Sequence, residues 1–238
     1  TLTANANNGT IASTTGWTGT GTTATKSVQY NAQYGTLPNV SRTGYTFKGW
    51  YTSATAGTKV ETTTKMGASA TTIYAQWTAN KYNIVYTLNN GTNASGNPTE
   101  FTYSASAQTK TVNNPTRTGY TFAGWTVDGG TISGTTLTIT AGRTSDVTLT
   151  ANWTINKFTV TIATNNSSYG SVDKTSIADV PYGSAITVNG NKITINGTTV
   201  TATAKTITGY TTKFKDWTNA TGTITAARTI TANFTSTI

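Results

Sequence analysis

Hydrophobic and polar residues alternate in short stretches that recur along the chain. Three of these stretches, at residues 73–77, 149–153 and 230–234, end on an aromatic residue. Three others run into a pair of asparagines and include Leu2, Ile84 and Phe158. Strict alternation places every second side chain on one face, which is typical of a half-buried β-strand. Because Thr, Tyr, Val, Ile and Trp, which a pleated sheet favours, dominate the composition, we predict a mainly β protein.

One aromatic motif occurs three times. Residues 44–50 read GYTFKGW, residues 119–125 read GYTFAGW, and residues 209–217 read GYTTKFKDW, which is two residues longer. Each copy lies between a stretch that runs into an asparagine pair, here called the opening stretch, and a stretch that ends on an aromatic residue, the closing stretch. The repeat therefore predicts a chain of three modules. The third copy is the divergent one. The predicted modules are residues 1–79, 80–155 and 156–238.

Asparagine pairs mark the turns that follow the opening stretches. Asn7-Asn8 and Asn89-Asn90 are each followed by glycine, and Asn165-Asn166 is followed by serine. Asn-Gly is a strong hairpin signal, because both central residues of a type I′ turn need a positive φ. We therefore expect each module to begin with a hairpin. A further Asn-Gly at positions 196 and 197 predicts an additional hairpin in the third module.

Two short joints connect the predicted modules. Residues 77–82 read WTANKY and residues 153–158 read WTINKF, so only four residues separate the two aromatic residues in each case. A flexible tether would be longer and rich in glycine and serine. Nearly identical short joints predict a fixed and repeated geometry, and hence an elongated rod.

The aromatic residues of the repeated motif allow two interpretations. Tyr and Trp stack on sugars and dominate interfaces, but a residue that recurs in every copy is most often a core residue. Trp17 has no counterpart in the other copies, which makes it the better candidate for an exposed, ligand-binding aromatic. Gly49 and Gly124 are expected to form a bulge or a close backbone approach. The predicted structural core is Tyr45, Phe47, Trp50, Trp77, Tyr120, Phe122, Trp125, Trp153, Tyr210, Phe214, Trp217 and Phe234.

The composition excludes most catalytic chemistry. The chain has no Cys and no His, which removes the usual zinc ligands, Ser-His and Cys-His nucleophiles, disulfides and iron–sulfur clusters. The seven acidic residues form no calcium-binding run, and only Asp173 and Asp179 lie close together in sequence. We therefore expect a protein that is not an enzyme and that binds no metal and no cofactor.

The charge raises the question of an anionic partner. The formal net charge is +9, from 16 basic and 7 acidic residues. The basic residues are mostly scattered lysines without the aromatic cluster that reads single-stranded nucleic acid, so no specific nucleic-acid binding is expected. A weak attraction to anionic polymers of a bacterial wall or a host remains open. No apolar stretch approaches the roughly 18 residues that span a bilayer, so no membrane insertion is expected.

The motif pairs carry a resemblance to a known family. GYTFKGW followed by IYAQW, and GYTFAGW followed by LTANW, closely resemble the Listeria–Bacteroides repeat, the B repeat of internalin-type surface proteins. Residues 156–238 resemble a divergent form of the same repeat. The resemblance implies tandem β-grasp-like modules in an extracellular fragment of a larger secreted protein, at a bacterial cell surface or cell wall.

The resemblance also implies a function. It suggests a non-catalytic stalk or spacer with a part in adhesion, whose partner is a host polymer, a cell-wall polymer or another surface protein. The alternative is a module that binds carbohydrate or an anionic polymer through exposed aromatic residues and lysines. The two differ in where the aromatic residues lie: exposed rings on one face favour binding, and internal rings favour the spacer.

Overall fold

The computed structural model describes all 238 residues and contains 22 β-strands and no helix. The predicted mainly β fold is confirmed. No helix that could cross a membrane is present. The chain forms two compact units, each assembled from three segments. The first unit contains Thr1–Thr87, Ser95–Asn113 and Trp125–Thr150, and the second contains Leu88–Ala94, Asn114–Gly124 and Ala151–Ile238.

A mixed five-stranded sheet lies in the first unit, in the order β3-β1-β7-β5-β6. The opening strand β1 and the closing strand β7 are parallel neighbours, and the motif strand β5 runs antiparallel to β7. The short strands β2 and β4 pair separately. The bounds are β1 (Leu2–Asn5), β2 (Thr10–Ile11), β3 (Thr23–Lys26), β4 (Val40–Ser41), β5 (Tyr45–Tyr51), β6 (Lys59–Val60) and β7 (Thr71–Ala79).

The next seven strands repeat this arrangement. The opening strand β8 is parallel to the closing strand β14, and β14 neighbours the motif strand β11 in the order β11-β14-β8-β9. A second sheet has the order β10-β13-β12. The bounds are β8 (Lys81–Thr87), β9 (Glu100–Thr102), β10 (Gln108–Thr111), β11 (Tyr120–Asp128), β12 (Gly130–Ser133), β13 (Thr136–Ile139) and β14 (Val147–Ile155).

The last eight strands lie in the second unit. The opening strand β15 is parallel to the closing strand β22, which pairs antiparallel with the motif strand β21 in the order β17-β15-β22-β21. A second sheet has the order β16-β20-β19-β18. The bounds are β15 (Lys157–Thr164), β16 (Gly170–Val172), β17 (Ser176–Pro181), β18 (Ile186–Asn189), β19 (Lys192–Ile195), β20 (Thr198–Ala204), β21 (Thr211–Thr218) and β22 (Arg228–Thr237).

The predicted alternating stretches are strands with one buried face. Leu2 and Ala4 of β1 and Ile73 and Ala75 of β7 are fully buried. The positions between them, Thr3 and Tyr74, are only half-buried; the branched Cβ of threonine suits a pleated strand while its hydroxyl reaches water. The same opening-to-closing pairing occurs three times, but the module boundaries and the finer β-grasp assignment stay predictions.

The asparagine pairs at 7–8 and 89–90 form turns, but the hairpin expected at the start of the first module is wrong, whereas in the second module β8 does pair antiparallel with the next strand, β9. Asn7 and Asn8 both have positive φ, 47° and 67°, and the amide of Gly9 donates to the carbonyl of Ala6 at 2.9 Å. The central turn residues are therefore the two asparagines and not Asn-Gly. After the turn, β2 pairs with β4, while β1 pairs with β3 and β7, so the turn redirects the chain instead of closing a hairpin.

The other two asparagine pairs differ from each other. Asn89 and Asn90 repeat the positive φ of the first turn, at 50° and 66°. The pair at 165 and 166 is not in the positive-φ region. The predicted hairpin at Asn196-Gly197 is confirmed, because both residues have positive φ and connect the antiparallel strands β19 and β20.

The predicted aromatic core is only partly correct. Trp50 and Phe234 are buried, with 2% and 3% of their surfaces exposed. The expectation is wrong for Phe47 and Tyr210, which are 37% and 50% exposed. Phe47 lies outside the core cluster against Trp50 and Trp77, and Tyr210 lies in the turn before β21. The half-buried members are Tyr45, Trp77, Tyr120, Phe122, Trp125, Trp153, Phe214 and Trp217.

A bulge in β5 explains why Phe47 and Trp50 contact each other. The register with β7 shifts between Phe47 and Gly49, and Gly49 has a φ of 141°, so the predicted bulge is confirmed. The extra residue places Trp50 on the same face as Phe47, opposite Ala75 of β7. The ring centroids of Phe47 and Trp50 are 5.8 Å apart.

Candidate functional site

Trp17 does not form the exposed aromatic site expected from the sequence. It is only 9% exposed and packs in the core cluster of the first unit. Its Nε1 donates to the carbonyl of Thr36 at 2.8 Å, so the loop between β2 and β3 folds the ring inward and satisfies its polar atom. The expectation that this ring is exposed is therefore wrong.

The acidic residues form no cluster that could hold a metal ion. Asp173 accepts the amide of Thr201 at 2.8 Å, which is a structural contact. Asp146 accepts both the backbone amide and the side-chain amide of Asn83, and these hydrogen bonds lower the pKa of its carboxyl group. These carboxylates stabilise loops.

The first joint is closed by three hydrogen bonds around one asparagine. The amide of Asn80 donates to the carbonyl of Gly44 at 2.9 Å, and the carbonyl of Asn80 accepts the amide of Tyr103 at 2.8 Å. The hydroxyl of Thr46 donates to Oδ1 of Asn80 at 2.7 Å. The joint is therefore bonded both to the motif before it and to the tyrosine after it, and all four residues lie in the first unit.

The second joint repeats this geometry within the second unit. The amide of Asn156 donates to the carbonyl of Gly119 at 2.9 Å, and its carbonyl accepts the amide of Tyr182 at 2.8 Å. The hydroxyl of Thr121 donates to Oδ1 of Asn156 at 2.7 Å. The distances match those of the first joint, so the similar sequences fold into the same local structure.

A tyrosine ring covers the motif glycine in each joint. A Cβ atom on Gly44 would lie 2.2 Å from the ring of Tyr103, and one on Gly119 would lie 2.2 Å from the ring of Tyr182. Both glycines have positive φ, 77° and 78°. Glycine is therefore required twice over, for its backbone conformation and for the close approach of the ring.

The arginine that precedes each motif stacks on the motif tyrosine. The guanidinium carbon of Arg42 lies 3.7 Å from the ring centroid of Tyr45, and that of Arg117 lies 3.6 Å from the ring centroid of Tyr120. Neither arginine belongs to any of the four ion pairs of the protein. Each stack therefore presents a positive charge that no carboxylate of the chain neutralises.

Each stack lies in a groove. The groove in the first unit has a volume of about 380 Å³ and that in the second about 720 Å³, and both are open to solvent. Six of the nine lining residues of each groove correspond in the two motif copies; Gly9, Tyr103 and Ala105 line only the first groove, and Pro115, Phe122 and Trp153 line only the second. The corresponding pairs are Asn8 and Asn90, Thr10 and Thr92, Ser41 and Thr116, Arg42 and Arg117, Thr43 and Thr118, and Tyr45 and Tyr120.

A tryptophan of the closing strand holds the asparagine turn beside each groove. The Nε1 of Trp77 donates to the carbonyls of Ala6 and Asn7, both at 3.1 Å, and Nε1 of Trp153 donates to the carbonyl of Leu88 at 2.9 Å. The glycine after each asparagine pair lies under the indole ring, where a Cβ would be about 2.4–2.5 Å from the ring. The turn is therefore fixed against the sheet.

The third copy of the motif lacks these features. Ile207 stands where the first two copies have arginine, and a Cβ on Gly209 would meet nothing within 4 Å. Tyr210 is half exposed, and Phe234 replaces the closing-strand tryptophan. The covered glycine and the arginine stack are thus properties of the first two copies.

These observations define a tandem-repeat β protein whose three copies share a strand pairing and whose first two copies also share a joint and a groove. Residues 1–76 and 82–152 match the model of the Listeria-Bacteroides repeat domain, and the chain belongs to that family. It is similar to internalin H of Listeria monocytogenes serovar 1/2a (strain ATCC BAA-679 / EGD-e), with 36% identity over 83 residues. The similar segment is 34% of this chain and spans 14% of internalin H.

Proposed function

We propose that the chain is a non-catalytic, extracellular repeat segment of a bacterial surface protein, where it acts as a stalk or spacer and takes part in adhesion. Membership of the Listeria-Bacteroides repeat domain family and the similarity to internalin H support this proposal. The threonine-rich strand surfaces support it as well, because uncharged hydroxyls give a soluble surface that depends little on salt.

The repetition of the joint is the observation that carries the spacer role. Each joint has three hydrogen bonds with nearly the same distances in both places, and a tyrosine ring over glycine. A hydrogen bond of this kind stabilises by about 0.5–1.5 kcal/mol, so three of them and a packed ring restrain four linking residues strongly. A spacer needs such restraint, because a flexible linker would let its ends approach each other.

Small-angle scattering tests the spacer role. The wild-type chain is compared with a variant in which Tyr103→Ala and Tyr182→Ala open both joints. A Tyr30→Ala variant is the matched control, because Tyr30 is 75% exposed and lies in neither joint. The proposal predicts a narrow distance distribution for the wild type and the control, and a broader one for the joint variant. A wild-type distribution as broad as that of the joint variant would refute the spacer.

A further inference from the structure

We propose that the grooves at Arg42 and Arg117 are two copies of one binding site for an acidic polysaccharide. This inference rests on the proposed surface function and gives it a ligand class. The two grooves share six corresponding lining positions, and each contains an arginine stacked on a tyrosine. A ligand with a repeating structure suits a protein that offers the same site more than once.

The guanidinium groups identify the anionic part of the ligand. A guanidinium offers five N–H donors in a plane that matches a carboxylate or a sulfate. Stacking on Tyr45 or Tyr120 occupies one face of the plane and leaves its edges free for such a partner. No acidic side chain lines either groove, so an anion meets no repulsion there. Tyrosine stacking also fixes the orientation of the fork before the ligand arrives.

The remaining lining identifies a saccharide. Thr43 and Thr118 are exposed beside the arginines, and Asn8 and Asn90 are held in fixed turns with φ of 67° and 66°. Hydroxyl and amide groups both donate and accept hydrogen bonds, which suits the hydroxyls of a sugar. The volumes of about 380 and 720 Å³ fit a small number of sugar rings, and the open walls allow a chain to continue past the groove.

The third copy provides an internal control. Ile207 replaces the arginine and cannot pair with an anion. The structure therefore predicts two sites in a chain that contains three copies of the motif. A general attraction of the +9 charge to polyanions would not give this stoichiometry.

Isothermal titration calorimetry with short oligosaccharides tests the site. A heparin oligosaccharide represents a host source, and a teichuronic acid fragment represents a bacterial-wall source. Neutral dextran and a single-stranded DNA oligonucleotide are the negative probes. The proposal predicts binding of at least one acidic saccharide at two sites per chain, and weaker binding of both negative probes. The stronger of the two acidic saccharides identifies the source.

Matched charge variants separate the grooves from the net charge. The double variant Arg42→Gln/Arg117→Gln is compared with Lys65→Gln/Lys213→Gln, which removes the same charge at two exposed lysines outside the grooves. Affinity falls about tenfold or more in the arginine variant and changes little in the lysine variant. Arg42→Gln or Arg117→Gln alone leaves one site. Circular dichroism verifies that the variants are folded.

Three results would overturn the proposal: no binding of any acidic saccharide, an equal loss of saccharide affinity in the arginine and lysine double variants, or an affinity for the DNA oligonucleotide equal to that for the acidic saccharides. These results leave the spacer untouched, because scattering of the wild-type chain reports on the joints and not on the grooves. Conversely, a broad distance distribution together with two saccharide sites would refute the spacer and keep the binding site.

Discussion

An alanine at position 119 tests how strongly the ring of Tyr182 fixes the second joint. The substitution has two effects on the folded protein. Gly119 has a φ of 78°, where an L-residue costs about 1–2 kcal/mol relative to glycine. The new Cβ would also lie 2.2 Å from the Tyr182 ring, and forcing extra atoms into a packed site costs about 1–3 kcal/mol. We expect Gly119→Ala to lower the free energy of unfolding by about 2–5 kcal/mol.

Gly209 provides the matched control for the backbone effect. It occupies the same motif position in the third copy, its φ is 83°, and a Cβ there would meet nothing within 4 Å. Gly209→Ala therefore carries only the conformational cost, about 1–2 kcal/mol. The difference between the two variants measures the steric effect of the ring.

Urea denaturation followed by circular dichroism gives the free energies, and hydrogen exchange of the Asn156 amide reports on the joint itself, because that amide donates to Gly119. A double-mutant cycle completes the test: once Gly119→Ala is present, Tyr182→Ala is expected to cost less than in the wild type, since it removes the clash. Equal destabilisation by Gly119→Ala and Gly209→Ala, with unchanged exchange at Asn156, would refute the reasoning.

Three further predictions concern the sheets and turns. Trp50→Ala is expected to lower the free energy of unfolding by about 3–5 kcal/mol, and Phe47→Ala by clearly less, because the Phe47 ring is 37% exposed. Chemical denaturation measures both values, and equal losses of stability would contradict the difference in burial. Burial raises the pKa of Tyr86 to about 12. The raised pKa contributes to the free energy of unfolding in full below the unfolded pKa of about 10, and this contribution is lost as the pH rises from about 10 to 12. Absorbance titration checks this pKa, and stability that falls equally over that range in Tyr86→Phe would argue against it. Asn7→Ala loses two side-chain hydrogen bonds and strains a φ of 47°, whereas Asn7→Gly loses only the bonds and is expected to be the more stable variant in thermal unfolding.

Some of the architecture could be predicted because it depends on local periodicity. The alternation at 73–77 predicted a strand with Ile73 and Ala75 buried, and Gly49 was a recognisable bulge. The short joints predicted a repeated local geometry, and the asparagines at their centre make the same bonds. In each case the signal lies within a few residues of the structure that it specifies.

Other features depend on contacts between distant parts of the chain. Tyr103 follows Asn80 by 23 residues and Tyr182 follows Asn156 by 26, so the unequal spacing hides their common role from an alignment of motifs. Trp17 is buried because its loop folds over the core, and the pattern around it carries no sign of this. The Arg-Thr pairs before the first two motifs, at residues 42–43 and 117–118, were the available sequence signal for the grooves. Only the structure shows that each arginine stacks on the motif tyrosine.

The parallel pairing of opening and closing strands determines how the protein responds to mechanical tension. In a parallel pair such as β1 and β7, the start of the first strand and the end of the last lie at opposite ends of the pair. Pulling the chain from those two points slides one strand along the other and loads their hydrogen bonds together, in shear. Breaking these hydrogen bonds one after another, as when two strands are peeled apart, would need less force than breaking them together in shear. The same pairing joins β8 to β14 and β15 to β22, so a force along the chain meets a shear-loaded pair three times.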